Sequence, residues 1–453
     1  MISMTLLGIL GLLVLFVLLA LRMPVALSML GVGLVGTVVA NANQFITVGM
    51  ASDQAWSRAL RIAYSNLSGE TFEAASNFNL LVIPMFVLMG TLAGVSGMSN
   101  DLFTAAYRWM GHLRGGLASA TIAACAGFAA LSGSSLASAV TMGRVALPEM
   151  KRYKYSDSLA TGSVAAGGTL GFLIPPSGGM IIYAVLTEQS IGRLFMAGVF
   201  PGIILTLLFI GAIYLVVARN PEAGPNGERS AWPERKEALL KAAPIIGVVF
   251  LTIGGMYTGF FTPVEASGVG AFFTFVVAAW RRTLTFEASK TVILQTMNAT
   301  ATVFLIIIGA FVFIPFMSLT EVPSQLVTLL TSLPIGDVGV LLIIIAVYIF
   351  LGMFLESIAM LVLTIPVVIP IAVGLNWDLI WFGIIVVIVL EMGMISPPVG
   401  INVFIVKSIA PDVPMGRIFR GIWPFWFAMA LMIVLLIIFP QIALFLPEAV
   451  VGG

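Results

Sequence analysis

Gly171-Phe-Leu-Ile-Pro175-Pro176-Ser177-Gly178 recurs later in the chain as Gly393-Met-Ile-Ser396-Pro397-Pro398-Val-Gly400, each copy in the middle of a long apolar segment. Adjacent prolines remove backbone donors and clash with the preceding turn, so an apolar helix that carries them has to break and leave polar backbone groups in need of partners. Breaks at matching positions of two halves point, in membrane proteins that move solutes, to a site near the bilayer midplane. The repeat extends outward from the prolines. Gly192-Arg193-Leu-Phe195 returns as Gly416-Arg417-Ile-Phe419, Gly198 and Pro201 return as Gly421 and Pro424, and Asp157 has its counterpart in Asp378. An ordered series of this kind predicts an internal duplication.

Composition agrees with a membrane setting. The 453 residues are 60% hydrophobic and 9% charged, with a mean hydropathy of +1.11, which excludes a water-soluble fold of this size. A net charge of +1 offers no basic patch for nucleic acid, and Cys125 and His112 each stand alone, so neither a disulfide framework nor a transition-metal site is expected. The apolar run from Thr5 to Leu21 has no basic residue before it and Arg22 directly after it. That pattern reads as a retained span whose C-terminal end faces the cytoplasm, not as a cleaved signal.

A crossing takes about 20 apolar residues. On that ruler the chain is predicted to cross near residues 5–21, 25–41, 80–98, 158–187, 198–218, 243–261, 264–280, 298–318, 378–406 and 423–446. Residues 115–150 are too long for one crossing and too short for two. Basic residues flank both of their ends (Arg108 and Arg114 before, Lys151, Arg152 and Lys154 after), which predicts a re-entrant hairpin entering from the cytoplasm. Residues 338–373 have the same awkward length with no Lys or Arg in their flanks, so this second hairpin is predicted to enter from outside. Both termini then lie outside, every Lys and Arg except Arg58, Arg61 and Arg193 falls on the cytoplasmic side, and the two broken helices run in opposite senses. The expected fold is an all-α polytopic membrane protein with an inverted repeat, two re-entrant hairpins and two broken transmembrane helices.

The expected organisation is scaffold helices over residues 1–114, a first repeat core over 115–218, a cytoplasmic linker over 219–241, further scaffold helices over 242–337 and a second repeat core with the last helix over 338–453. The linker mixes both charge signs with proline and glycine. Residues 42–78 are polar and mildly amphipathic, with Trp56, Leu60, Tyr64 and Leu67 at helical spacing, and predict an interfacial helix or a docking surface on the outer side. Trp423 and Trp426 read as part of an interfacial belt.

The hairpin tips carry the remaining chemistry. Ser132, Ser134, Ser135 and Ser138 surround Gly133 where the first hairpin reverses, and hydroxyl and carbonyl oxygens suit a hard cation such as Na+. The same small residues also permit close helix packing. In the second tip Glu356 follows Gly352 and precedes Ser357; an intramembrane carboxylate either neutralises a cation or holds the turn by hydrogen bonds, and Glu391, just before Gly393, admits the same two roles. At each break the restarting helix exposes N–H groups and the helix before it exposes carbonyls, which suits an anionic substrate beside one or two Na+ ions. Asn402, Ser177 and Ser396 are candidate polar ligands there, although a serine beside proline also caps a helix without any ligand.

Several of these stretches resemble a known family. Phe78-Asn-Leu-Leu-Val-Ile-Pro84-Met-Phe-Val-Leu-Met-Gly90, the Ser-Gly-Ser-Ser tip, Gly171-Phe-Leu-Ile-Pro-Pro-Ser177, Phe261-Thr-Pro263-Val-Glu265-Ala and the Pro366/Pro370 pair look like the large membrane subunit of tripartite ATP-independent periplasmic (TRAP) transporters, within the ion-transporter superfamily. The match runs from about Asn77 to Phe439, and the long 42–78 segment departs from it. The resemblance implies a Na+-driven importer of organic acids in a bacterial inner membrane, not an enzyme, working by an elevator mechanism without an organic cofactor. It implies two partners, a small four-helix membrane subunit on a separate chain and a soluble periplasmic substrate-binding protein. Carried over by position, the cation sites draw on Ser132, Gly133, Ser134, Ser135, Gly168 and Thr169 and on Gly352, Glu356, Ser357, Gly393 and Ser396. The substrate, for example a C4-dicarboxylate, a sugar acid, sialic acid or a sulfonate, would lie between them, near Ser138, Pro175, Pro176, Ser177, Pro397, Pro398 and Asn402. A stand-alone Na+/carboxylate symporter would share the same hairpins and breaks; a channel or a structural subunit would have no need for paired breaks.

Overall fold

The computed structural model describes residues 3–451, and among these the regular structure is helical throughout. In chain order the helices are α1 (Met4–Ala20), α2 (Val25–Thr47), α3 (Ser52–Ser76), α4 (Val82–Val95), α5 (Met98–Met110), α6 (Gly116–Ser132), α7 (Ser135–Arg152), α8 (Asp157–Leu173), α9 (Gly178–Leu186) and α10 (Ile191–Arg219). They continue as α11 (Trp232–Tyr257), α12 (Pro263–Trp280), α13 (Phe286–Leu319), α14 (Val322–Ser332), α15 (Gly336–Gly352), α16 (Ser357–Gly374), α17 (Leu379–Met394), α18 (Ile401–Ile409), α19 (Met415–Ile438) and α20 (Gln441–Val451). Among the described residues, nine helical segments are long and apolar enough to cross a membrane.

Both hairpins are present, α6–α7 and α15–α16, and both proline pairs break a helix, between α8 and α9 and between α17 and α18. Other boundaries differ from the sequence reading for local reasons. Ser190 caps α10 by accepting from the Arg193 N–H at 3.3 Å, so that helix starts ahead of its apolar run. The linker turns helical at Trp232, where Pro233 sits in the first turn of α11 and gives up no bonded N–H. Gly97, at φ +75°, lets the chain leave α4 and start the amphipathic α5, which hydropathy alone does not separate from the crossing before it. Before Pro440 the last apolar stretch divides into α19 and α20.

The chain forms two compact units. One comprises the segment up to Leu80 with Asn298–Ile344 and Ile358–Leu379. Within it α2 runs beside α1 and α3. Gly33 and Gly309 let α2 and α13 touch backbone to backbone, since a Cβ on Gly33 would lie 2.7 Å from the Val312 carbonyl and one on Gly309 would lie 2.7 Å from the Ala26 carbonyl. The predicted helix over the 42–78 segment forms as α3, with a twist in its facing. Ala55, Ala59 and Ala63 are buried, and the Trp56, Leu60 and Tyr64 series points outward. Alanine admits a closer approach of two helices than a bulky side chain does, so the small stripe and not the bulky one is the packed face.

The other unit comprises Leu81–Met297, Ile345–Ser357 and the chain from Ile380 onward. Its centre is made of the two helices that lead into the breaks: every residue of α8 from Leu159 to Leu173 and of α17 from Ile380 to Met394 is buried. A helix buried all round needs no polar face. The two achieve this differently, α17 with Ile and Val, α8 with Gly, Ala, Ser and Thr. The small residues let α8 touch α6, α7 and α19, and at the α19 contact a Cβ on Gly162 would meet the Gly421 carbonyl at 2.3 Å.

Candidate functional site

The two hairpin tips and the two breaks all belong to this second unit. At the first tip α6 ends on Gly133, whose φ of +58° is one that a Cβ would strain, and α7 restarts on the Ser134 cap, which accepts from the Ala137 N–H at 3.4 Å. Ser132 and Ser138 close the tip by a hydroxyl–hydroxyl bond of 2.8 Å. The tip is joined directly to the first break, where the Gly178 N–H donates to the Gly133 carbonyl at 3.0 Å. Glycine is required on both sides of this contact. A Cβ on Gly133 would lie 2.8 Å from the Pro176 carbonyl, and one on Gly171 would lie 2.5 Å from the Ser134 carbonyl. Gly168 likewise faces the Ser135 carbonyl and Ala139.

The second half repeats this join with different atoms. The Gly400 N–H at the start of α18 donates to the Met353 carbonyl in the turn after Gly352, at 3.2 Å. Gly352 and Gly393 are in backbone contact, a Cβ on Gly393 falling 2.7 Å from the Gly352 Cα. Ser357 donates to the Glu391 carboxylate at 2.8 Å. Glu356 is half-buried in the turn between α15 and α16.

The hydroxyls around the breaks keep lone pairs available. Thr169 donates to the Ala166 carbonyl at 2.6 Å and Ser396 donates to the Met392 carbonyl at 2.7 Å, so each proton is spent on its own helix. Ser177 donates to the Phe172 carbonyl and accepts from the Met180 N–H. Hydroxyl oxygens whose protons are already committed are acceptors only, which suits cation coordination. Asn402 is fully buried, and both polar atoms of its amide lack a hydrogen-bond partner. Such an amide asks for a ligand or a water. The tip-and-break oxygens and this amide thus offer the two kinds of group that a cation and an anion need.

Of the sequence-predicted residues, Ser132, Gly133, Ser134, Ser135, Ser138, Gly168 and Pro176 gather at the first join, and Gly352, Glu356, Ser357, Gly393 and Ser396 gather at the second. Pro175 and Pro176 are buried, whereas Pro398 is exposed. Ser138 spends its hydroxyl on Ser132 inside the hairpin. Two residues stand out that the sequence reading did not assign to the site. Gly90 of α4 packs on the first tip, where a Cβ would lie 2.8 Å from the Ser132 Cα. Trp426, read from sequence as part of an interfacial belt, donates its indole N–H to the Ser396 hydroxyl at 3.0 Å. Its only sequence signal is its place one turn beyond Trp423.

The profile of the family described as "Tripartite ATP-independent periplasmic transporter, DctM component" matches residues 12–442. The C4-dicarboxylate TRAP transporter large permease protein DctM of Pseudomonas aeruginosa is 35% identical over 384 residues, covering 84% of this chain and 89% of that protein. The sialic acid TRAP transporter large permease protein SiaM of Vibrio cholerae is 33% identical over 383 residues, covering 83% and 88%. In fold, the chain resembles the YdaH transporter of Alcanivorax borkumensis, whose crystal structure shows an unusual topology, with a TM-score of 0.56 and 16% identity over 84% of this chain and 89% of that one. The chain belongs to the DctM family, the large permease component of tripartite ATP-independent periplasmic transporters.

Proposed function

We propose that this permease imports organic acid anions across a bacterial inner membrane, driven by Na+, and that it receives its substrate from a soluble periplasmic binding protein while resting on a small membrane subunit. Both termini then face the periplasm. The observation that carries the Na+ part is the pair of tip-and-break joins, Gly178 to Gly133 and Gly400 to Met353, each lined by carbonyl oxygens and by a hydroxyl whose proton is committed to its own helix. Such oxygens fit Na+ better than any softer ion. Substrate class rests on the relatives, which are named for C4-dicarboxylate, sialic acid and, in Ruegeria pomeroyi, ectoine and 5-hydroxyectoine. An anion held at the start of α18 would find the unpartnered Asn402 amide and a positive helix end.

The same joins support an elevator movement, in which a tip bonded to its break travels with it. In such a cycle Ser132, Gly133, Ser134 and Gly168 hold one cation, Gly352, Ser357, Gly393 and Ser396 hold another, and the prolines keep the helix ends open toward the substrate. Uptake of labelled organic acids into proteoliposomes under an imposed Na+ gradient, with and without the binding protein and the small subunit, tests the reading. The expected result is uptake that requires Na+ and the binding protein and that falls in Ser134→Ala. Flux indifferent to Na+ overturns the coupling. Na+-driven uptake without the binding protein makes the chain a stand-alone symporter.

A further inference from the structure

Glu391 is the one acidic residue of α17, and it is only 1% exposed. Its Oε1 accepts from the Ser357 hydroxyl at 2.8 Å, while Oε2 is buried without a hydrogen-bond partner. The electrostatics of this carboxyl group also involve the Ser135 hydroxyl of the first tip and the Glu356 carboxylate. Ser135 and Ser357 are themselves 3% and 1% exposed. Three stretches remote in sequence, the two hairpin tips and the second broken helix, therefore converge on one carboxyl group inside the second unit. Among the described residues no Lys, Arg or His forms an ion pair with this carboxyl group. A buried carboxylate needs compensation, and an unpaired oxygen aimed into a cluster of hydroxyls is where a cation supplies it.

We propose that Glu391 Oε2 is a ligand of a coupling cation, with Ser135 and Ser357 as its hydroxyl companions, so that one Na+ joins the tips of both hairpins. This rests on the Na+-coupled reading above and adds to it a charged ligand that draws on both halves of the duplication. A carboxylate cancels the charge of the monovalent ion it holds. The ion at Glu391 then repels neighbouring ions at the uncharged hydroxyl and carbonyl sites less than a bare cation would, and the strong field of a carboxylate favours Na+ over K+.

The test is Na+ titration of the purified full-length chain in detergent, at ionic strength held constant with choline chloride, followed by thermal unfolding and by intrinsic tryptophan fluorescence, to which Trp426 contributes from its contact with the second break at Ser396. Glu391→Gln keeps the shape and the acceptor for Ser357 and removes the charge. The Na+ midpoint is expected to rise about tenfold or more, with unfolding in choline unchanged or shifted upward, since an uncompensated charge has gone. A Glu391→Gln protein that responds to Na+ at the wild-type midpoint overturns the proposal while leaving Na+ coupling intact. Wild-type protein with no response to Na+ overturns both. Should Glu391→Gln fail to fold, Ser135→Ala reads the same site from the other hairpin: a midpoint raised several-fold supports it, and a wild-type midpoint sinks it.

Discussion

Gly133 shows how much a single residue holds here. Its positive φ and the Pro176 carbonyl 2.8 Å from where a Cβ would stand make Gly133→Ala costly on two counts, of which the backbone strain alone is about 1–2 kcal/mol. A lower unfolding temperature and reduced uptake are expected, measured on the same preparation by a thermal-shift assay and by transport. Trp426 makes a different kind of contribution. Trp426→Phe keeps the ring packing against Trp423 and Phe427 and loses only the indole bond to Ser396, a cost of roughly 1 kcal/mol. A clear change in the Na+ midpoint of that variant would show that Trp426 also orients Ser396 for its ligand. The Ser-Gly-Ser-Ser tip was legible from sequence because hydroxyls crowd there. Trp426 was not, because nothing local tells a belt tryptophan from one turned inward.

At the scale of elements, the contact between α8 and α19 is set by the absence of side chains. Gly162→Val would push a side chain into the Gly421 carbonyl, 2.3 Å from the position of its Cβ, so the yield of monodisperse protein on size exclusion is expected to collapse. Gly211→Ala is the control, since nothing lies within 4 Å of its added Cβ on α10 and alanine is the better helix former by about 0.5–1 kcal/mol. Lys151 at the end of α7 and Asp412 after α18 form an exposed ion pair. The hydrogen bond and charge of Lys151 hold the Asp412 carboxyl below the usual aspartate range. A depressed folded value means that this contribution is fully present at neutral pH, above the unfolded value, and is lost as pH falls through the folded one. Asp412→Asn is accordingly expected to lower the unfolding temperature slightly at neutral pH and low salt, and to have no effect at high salt or below the carboxylate range, because an exposed pair is weak and screened.

For the whole molecule, alternating access is the property to test. Cys125 is the single cysteine of the chain and is buried, so Cys125→Ala gives a thiol-free background. Ala137→Cys placed in it, on the exposed side of the first turn of α7, is expected to react with a membrane-impermeant maleimide from one side of a proteoliposome in Na+ alone and from the other side when Na+ and substrate are present together. Labelling from the same side under every condition overturns the elevator reading. The loss of transport in Ser134→Ala, by contrast, reports the cation site and not the movement.

By itself the sequence determined the membrane class, through hydropathy, and the hairpins and breaks, through segment length and paired prolines. These are local properties: a proline blocks its own turn whatever surrounds it, and a span too long for one crossing is too long in any fold. Only the tertiary structure decided which residues of α3 pack, because the alanine and aromatic stripes have the same helical period and only the partner helix chooses between them. Tertiary structure alone also brought Ser135 and Ser357 to Glu391, since three segments separated along the chain meet through the packing of buried helices, a relation that spacing along the chain does not encode.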